Sequence, residues 1–238
     1  RSTPKPSSAA SDVYKRQILN ANLLMKRMGD SMACENIVGV LLAGGKSRRM
    51  GGGDKCLLQL GGKTILQHAI DRATPQVGNL ILNINGDPDR FSHYNLNIVS
   101  DDIGNFAGPL AGVLTGMHWV KENHPECKWI VTFPTDTPFF PMDLASKLYD
   151  AVSDNKAELA CAASGGRHHP VFGIWPVNLF AALKVAMIDN GVRKIDDWTS
   201  GYNMKTVKFE FRKIDPFFNI NRPEDLQYAE TQFAGITN

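Results

Sequence analysis

Cysteine is scarce and scattered: Cys34, Cys56, Cys127 and Cys161 form no CxxC pair and have no histidine at fixed zinc-site spacing. That excludes a disulfide framework and a zinc knuckle, and points to thiols kept reduced. No apolar run approaches the roughly 18 to 20 residues that span a bilayer, so no membrane partner is expected. An excess of one charge is missing too. Lys and Arg number 26 against 24 Asp and Glu, a formal net charge of +2. The signs are mixed along the chain and leave no footprint for nucleic acid or a lipid surface. Any anionic ligand must therefore be held by a local site, in a protein expected to be soluble and cytoplasmic.

What is present suffices for a folded domain. A chain of 238 residues that is 43% hydrophobic provides a sizeable core. Residues 1–11 are polar and Ser/Pro-rich, without apolar periodicity. The hexapeptide Asp12-Val13-Tyr14-Lys15-Arg16-Gln17 resembles the translation of a transposon end used in sequencing libraries. Residues 1–33 are thus expected to be a disordered or artefactual leader, with Met25, Met28 or Met32 as the native start, and 34–238 a single domain. The rival reading, a targeting peptide, draws on the basic stretch 15–27 but finds no clear cleavage signature there.

From Ile37 onward, short β-branched runs alternate with longer amphipathic stretches, the pattern of a mostly parallel sheet covered by helices. Strands are expected at 37–42, 80–84, 96–99, 129–133, 158–162, 171–174 and 206–211, with a further short run at 218–220. Helices are expected at 64–73, 109–121, 142–152, 179–188 and from Pro223. The first strand is apolar on both faces, as a buried parallel strand is. In such sheets ligands bind beyond the carboxyl ends of the strands, and there Gly, Pro, Asp and Asn concentrate: 43–55, 83–87, 101–112 and 134–138.

The segment from Leu42 to Lys55 carries the most information. Its five glycines let backbone N–H groups close on an anion, and Lys46, Arg48, Arg49 and Lys55 add positive charge. A polyphosphate suits such a loop. At an effective dielectric of about 20, one unit charge roughly 4 Å from a phosphate oxygen contributes on the order of 4 kcal/mol before desolvation. Gly45-Lys46-Ser47 imitates the end of a P-loop, but the first glycine of that motif falls on Val40, and more glycine follows instead of a helix. No GxGxxG opens a helix either. A solvated basic loop is the plain alternative.

The second site is Asp136, just past a buried strand and flanked by Pro134 and Pro138. A carboxylate so held suits Mg²⁺, which is bound by one or two carboxylates plus substrate phosphates, although an Asp in a turn can also simply cap a helix. His68, His118, Trp119 and Trp129 read as packing residues. Cys56 reads as a small buried residue, with no base placed to activate it.

Taken in order, Leu42-Ala43-Gly44-Gly45, Arg49-Met50-Gly51, Asp54-Lys55, Gly108-Pro109-Leu110-Ala111-Gly112, Asp136-Thr137-Pro138 and Asn219-Ile220-Asn221-Arg222-Pro223-Glu224-Asp225-Leu226 resemble the motif series of molybdenum cofactor guanylyltransferases. The likeness covers about residues 37–229. One departure stands out: the family loop reads Met-Gly-x-Asp-Lys, and Gly51-Gly52-Gly53 carries one glycine more. The resemblance implies a three-layer Rossmann-like α/β nucleotidyltransferase fold that joins GTP to molybdopterin, releases pyrophosphate and uses Mg²⁺. It implies that Leu42, Ala43, Gly44, Gly45 and Lys55 hold the nucleotide, with Asn83 and Asp101 around the guanosine. Asp136 would bind the metal and Arg49 would join Lys55 and Asp136 in catalysis. Asn219 and Asn221 would stand near metal and phosphates, and His169, before Pro170, towards the pterin. Transient contacts with molybdenum-insertion proteins or molybdoenzyme chaperones are implied too. The base stays open between guanine and cytosine. A sugar-nucleotide pyrophosphorylase fits less well, lacking its Gly-x-Gly-Thr-Arg loop, and a non-catalytic nucleotide-binding protein would not need both Lys55 and Asp136.

Overall fold

A computed structural model describes residues 35–43, 54–101, 108–153, 157–211 and 213–237. The expected leader, 1–33, and the loop residues Gly44, Gly45 and Arg49 lie outside the described residues.

The chain enters the fold on β1 (Ile37–Leu42), where side chains alternate between two cores. Ile37 and Leu41 join one hydrophobic cluster, and Val38 and Val40 the other. A 3-10 turn at Lys55–Leu57 leads into a small hairpin, β2 (Gln59–Leu60) and β3 (Lys63–Thr64). Its turn residues, Gly61 and Gly62, have φ of 54° and 83°, values that a two-residue hairpin loop demands and glycine meets without strain. Thr64 then caps α1 (Ile65–Ala73) by accepting the Gln67 N–H at 3.0 Å. There follow β4 (Asn79–Ile84), β5 (Asn97–Ser100), α2 (Pro109–Asn123), β6 (Trp129–Pro134) and α3 (Leu144–Val152). The last part comprises β7 (Leu159–Ser164), β8 (Arg167–Pro176), α4 (Phe180–Ile188), α5 (Ile195–Thr199), β9 (Met204–Lys208) and α6 (Pro223–Thr237).

The main sheet has seven strands in the order β5-β4-β1-β6-β8-β7-β9. All its pairings are parallel except those of β8 with β6 and β7. Helices α1 and α3 cover one face through Leu66, Ala69, Leu144 and Leu148; α2 and α4 cover the other through Leu110, Val113, Met117 and Leu183. This is the expected three-layer Rossmann-like fold. The chain moves outward from β1 to β4 and β5, then returns to β6 on the far side of β1. That reversal opens a crevice at the carboxyl ends of β1 and β6.

Two glycines set how closely α2 approaches the sheet. A Cβ on Gly112 would stand 2.4 Å from Leu42 Cδ2 and 2.7 Å from Asn83 Oδ1, and one on Gly116 would meet Val40 Cγ2 at 2.7 Å. The helix therefore lies directly against β1 and β4.

Several expectations shift. The strand expected at 171–174 is the middle of the longer β8, and that at 206–211 is β9. Residues 218–220 form no strand: the Ile220 N–H goes to the Asp136 carbonyl at 2.9 Å, a single bond and no ladder. The hairpin and α5 went unforeseen because two-residue strands and a five-residue helix are too short to show a period. Among the described residues, no helix is long and apolar enough to cross a membrane.

Candidate active site

At the crevice, β1 and β6 end side by side, with Leu42 in register with Pro134. Thr135 fastens the two ends together: its N–H and its hydroxyl both donate to the Leu42 carbonyl, at 3.2 and 3.1 Å. On the other side the Ala43 N–H donates to the Asn83 carbonyl at 2.9 Å. The start of the glycine loop is thus held between β4 and β6.

Asp136 follows directly. Its carbonyl takes the Ile220 N–H, which draws the segment containing Asn219 and Asn221 alongside. Lys55 Nζ lies 2.7 Å from Asp136 Oδ2 and 2.8 Å from Asn221 Oδ1. The Thr137 hydroxyl, fully buried, lies 2.6 Å from Asn219 Oδ1 and 3.2 Å from Asp136 Oδ1. Asp225 holds the turn behind this cluster, with its Oδ2 accepting the Asn221 and Arg222 N–H groups at 2.8 and 2.9 Å. The Pro-Glu-Asp start of α6 is favourable in itself, since proline needs no N–H partner there and acids face the positive end of the helix.

A cleft of about 350 Å³ gathers Leu42, Ala43, Lys55, Asp136, His169 and Asn219 along its walls. Lys55 and Asp136 retain 19% and 25% of their side-chain exposure, enough for a ligand to reach them and little enough to limit screening by solvent. The oxygens that Asp136, Asn219 and Asn221 offer are all hard donors, a set suited to Mg²⁺ or Mn²⁺ and ill suited to soft metals. Two of them already share one positive charge, that of Lys55.

The opposite wall comes from an irregularity in β8. Pairing with β7 passes from Cys161–Gly173 straight to Ala162–His169, which leaves residues 170–172 without partners on β7. Bulges of this kind redirect side chains, and Pro170, with no N–H to donate, suits an unpaired position. Here the bulge turns Arg167 to Phe172 towards the cleft.

Asn83 and Asp101 come together one and two strands further out. Asn83 is 2% exposed, and its amide donates to the Val99 carbonyl at 3.2 Å and Asp101 Oδ1 at 2.8 Å. The Thr115 hydroxyl of α2 donates to the same Asp101 oxygen at 3.0 Å. Neither Asn83 nor Asp101 lines the cleft that holds Lys55 and Asp136.

Sequence reasoning overlooked Thr115, Thr137 as a link, the ion pair of Arg90 with Asp54, and the buried Ser164 and half-buried Asp215 behind His169. Lone Ser, Thr and Asp residues carry no local signal. It also passed over His124, Glu126 and Cys127, which bring one ligand atom each within 4.8 Å of one another. Three groups on a turn, two of them, His124 and Glu126, already hydrogen-bonded to each other at 3.0 Å, still fall short of a closed zinc knuckle. Cys56 borders the cleft, but burial, aided by Asp54, pushes its thiol up to about 12, so it is no nucleophile at neutral pH.

Comparison with known proteins identifies the family. A MobA-like NTP transferase domain matches residues 39–202. The molybdenum cofactor guanylyltransferase of Nitrobacter hamburgensis is 46% identical over 192 residues, covering 81% of this chain and 92% of that protein. Molybdopterin-guanine dinucleotide biosynthesis protein A from Archaeoglobus fulgidus shares the fold at a TM-score of 0.65 and 22% identity, over 83% of this chain and 99% of that one. A Mycobacterium tuberculosis protein crystallised in complex with manganese superposes at a TM-score of 0.60 and 18% identity, over 82% and 98%. With identity and coverage of this order, the chain belongs to the molybdenum cofactor guanylyltransferases.

Proposed function

We propose that this protein transfers the GMP unit of GTP to the terminal phosphate of molybdopterin, releasing pyrophosphate. The observation that carries the reading is the meeting of Lys55, Asp136 and Asn221 at the crevice between β1 and β6, inside a chain of this family. A cation and a set of hard oxygens stand there on one spot, which is what joining two phosphates requires.

In this reading Leu42, Ala43, Gly44 and Gly45 hold the nucleotide through the loop that leaves β1. Asp101 stands by the guanosine, and Asn83 and Thr115 hold its carboxylate in place. Asp136, with Asn219 and Asn221 beside it, holds Mg²⁺; the oxygen donors fit that ion, and the manganese complex of the Mycobacterium tuberculosis protein supports a divalent metal at such a fold. When bound, Mg²⁺ neutralises charge on the phosphates. Lys55 turns its ammonium from Asp136 to the α-phosphate, where negative charge builds as the new bond forms. Arg49 adds a second positive charge from the loop. The pterin phosphate is already a nucleophile, so the protein contributes alignment and charge stabilisation and needs no covalent intermediate. His169 faces the acceptor. Three buried free thiols, Cys56, Cys127 and Cys161, accord with a cytoplasmic setting.

A thermal-shift panel with GTP, CTP, ATP and UTP, each with and without Mg²⁺, tests the reading, because a ligand that binds the native state raises its apparent stability. Greatest stabilisation by GTP with Mg²⁺ is expected. Preference for CTP would move the assignment to cytidylyl transfer, and no response to any nucleotide would overturn it.

A further inference from the structure

We propose that Ser164 and Asp215 are positioning residues that hold His169 as the tautomer protonated at Nε2, so that the cleft presents a bare Nδ1 to an N–H donor on the acceptor's ring. The inference rests on the transfer reading for the identity of the acceptor, and on geometry for the tautomer.

Ser164 is 3% exposed at the end of β7. Its Oγ lies 2.7 Å from Asp215 Oδ1 and 2.8 Å from His169 Nε2. A hydroxyl has one proton to give, and a carboxylate can only accept. The serine proton therefore goes to Asp215, and the serine lone pair facing His169 needs a donor, which is Nε2–H. Asp215 is itself fixed, since the same Oδ1 accepts the Phe217 N–H at 2.9 Å. The Phe217 ring stacks on the imidazole at 4.6 Å and 28°, which sets its plane. Three groups from two segments, the end of β7 and residues 215–217, thus determine both the rotation and the tautomer of one histidine.

The other ring nitrogen is left for the ligand. Among the described residues Nδ1 has no hydrogen-bond partner, and no buried side-chain nitrogen or oxygen is left unpartnered, so Nδ1 is open to solvent on a ring that lines the cleft. Burial pushes His169 below its ordinary value; Asp215 opposes this, while Arg167 and His168 reinforce it. The ring is accordingly neutral at pH 7. A neutral ring with a bare nitrogen repels a phosphate oxygen and attracts an N–H. A pterin has such donors on its ring edge, and its phosphate arm has none. His169 therefore reads the ring, at the opposite wall from Lys55, which faces phosphate.

Two measurements on the full chain test this. In a long-range ¹H–¹⁵N spectrum of histidine-labelled protein at neutral pH, with His169 assigned from the His169→Gln variant, Nε2 is expected at a pyrrole-type shift and Nδ1 at a pyridine-type shift. The reverse pattern, or an imidazolium, would overturn the proposal. In steady-state kinetics, Ser164→Ala is expected to raise KM for molybdopterin about tenfold, the worth of one misaligned hydrogen bond, with KM for GTP within about twofold of the parent. A rise in KM for GTP alone would overturn it as well. If Ser164→Ala does not fold, the spectrum of the parent protein still decides the tautomer. Absence of any transfer by the parent protein would sink the function proposed above instead, again leaving the spectrum to decide His169.

Discussion

The ammonium of Lys55 lies 2.7 Å from the Asp136 carboxylate, across 81 residues of sequence. It also touches Asn221 at 2.8 Å, so one cation ties together the end of the glycine loop, the end of β6 and the turn before α6. Lys55→Ala is expected to lower kcat by about 10²-fold or more, the effect of removing a preorganised charge. Lys55→Arg should not rescue it, because a planar fork does not replace a compact ammonium between two single acceptors. Pyrophosphate release under saturating GTP is the measurement; near-parental turnover by Lys55→Ala would remove the lysine from the mechanism.

Asp136→Ala removes the one carboxylate among the oxygens proposed to hold the metal. The variant is expected to lose its response to Mg²⁺ across a titration, with transfer reduced to background. An unchanged magnesium curve would place the metal elsewhere.

Thr137→Val keeps the shape and deletes the hydroxyl that links Asn219 to Asp136. Thr137 is fully buried but Asn219 is exposed, so water replaces the lost donor at the amide oxygen, and the change is expected to cost about 0.5–1.5 kcal/mol of stability. Denaturant unfolding measures this, and a smaller apparent Mg²⁺ affinity should accompany it.

At Gly112 there is no room for a methyl group beside Leu42 and Asn83. Gly112→Ala is expected to destabilise by about 1–3 kcal/mol through overpacking, a fall in thermal midpoint of about 2–4 °C per kcal/mol. Because the displaced atoms include Asn83, which holds Asp101, KM for GTP should rise as well. Gly201→Ala is the control: a Cβ there meets nothing within 4 Å, so the midpoint should stay put.

His169 makes a pH-dependent contribution whose sign is set by burial. Its folded value lies below 6.5, so on acidification the unfolded chain takes up a proton first. The contribution is complete above about pH 6.5 and is lost as pH falls through the lowered folded value. Thermal midpoints from about pH 8 to about pH 5 should decline less steeply in His169→Gln than in the parent. Identical slopes would show that the ring is not buried as described.

Much was legible in the sequence. Apolar runs bounded by Gly and Pro located β1, β4 and β6, because a strand buried on both faces has no other way to be written. Asp136 stood out as a carboxylate between two prolines at a strand end, and the helix expected from residue 64 is α1. The family motifs, read in order, led to the same strand ends that the structure joins. What sequence could not show are relations between distant positions. That Lys55 reaches both Asp136 and Asn221, that Asp225 braces the Asn221 turn, and that Ser164 and Asp215 grip His169 depend on which strands become neighbours. The strand order, with its reversal between β1 and β6, decided that. The bulge that leaves residues 170–172 unpaired likewise has no local signature, since it arises from the register of β7 against β8. Local pattern determines where an element forms and which face it buries; only packing of whole elements determines which isolated polar side chains meet, because a hydrogen bond acts over about 3 Å and sequence separation says nothing about that distance.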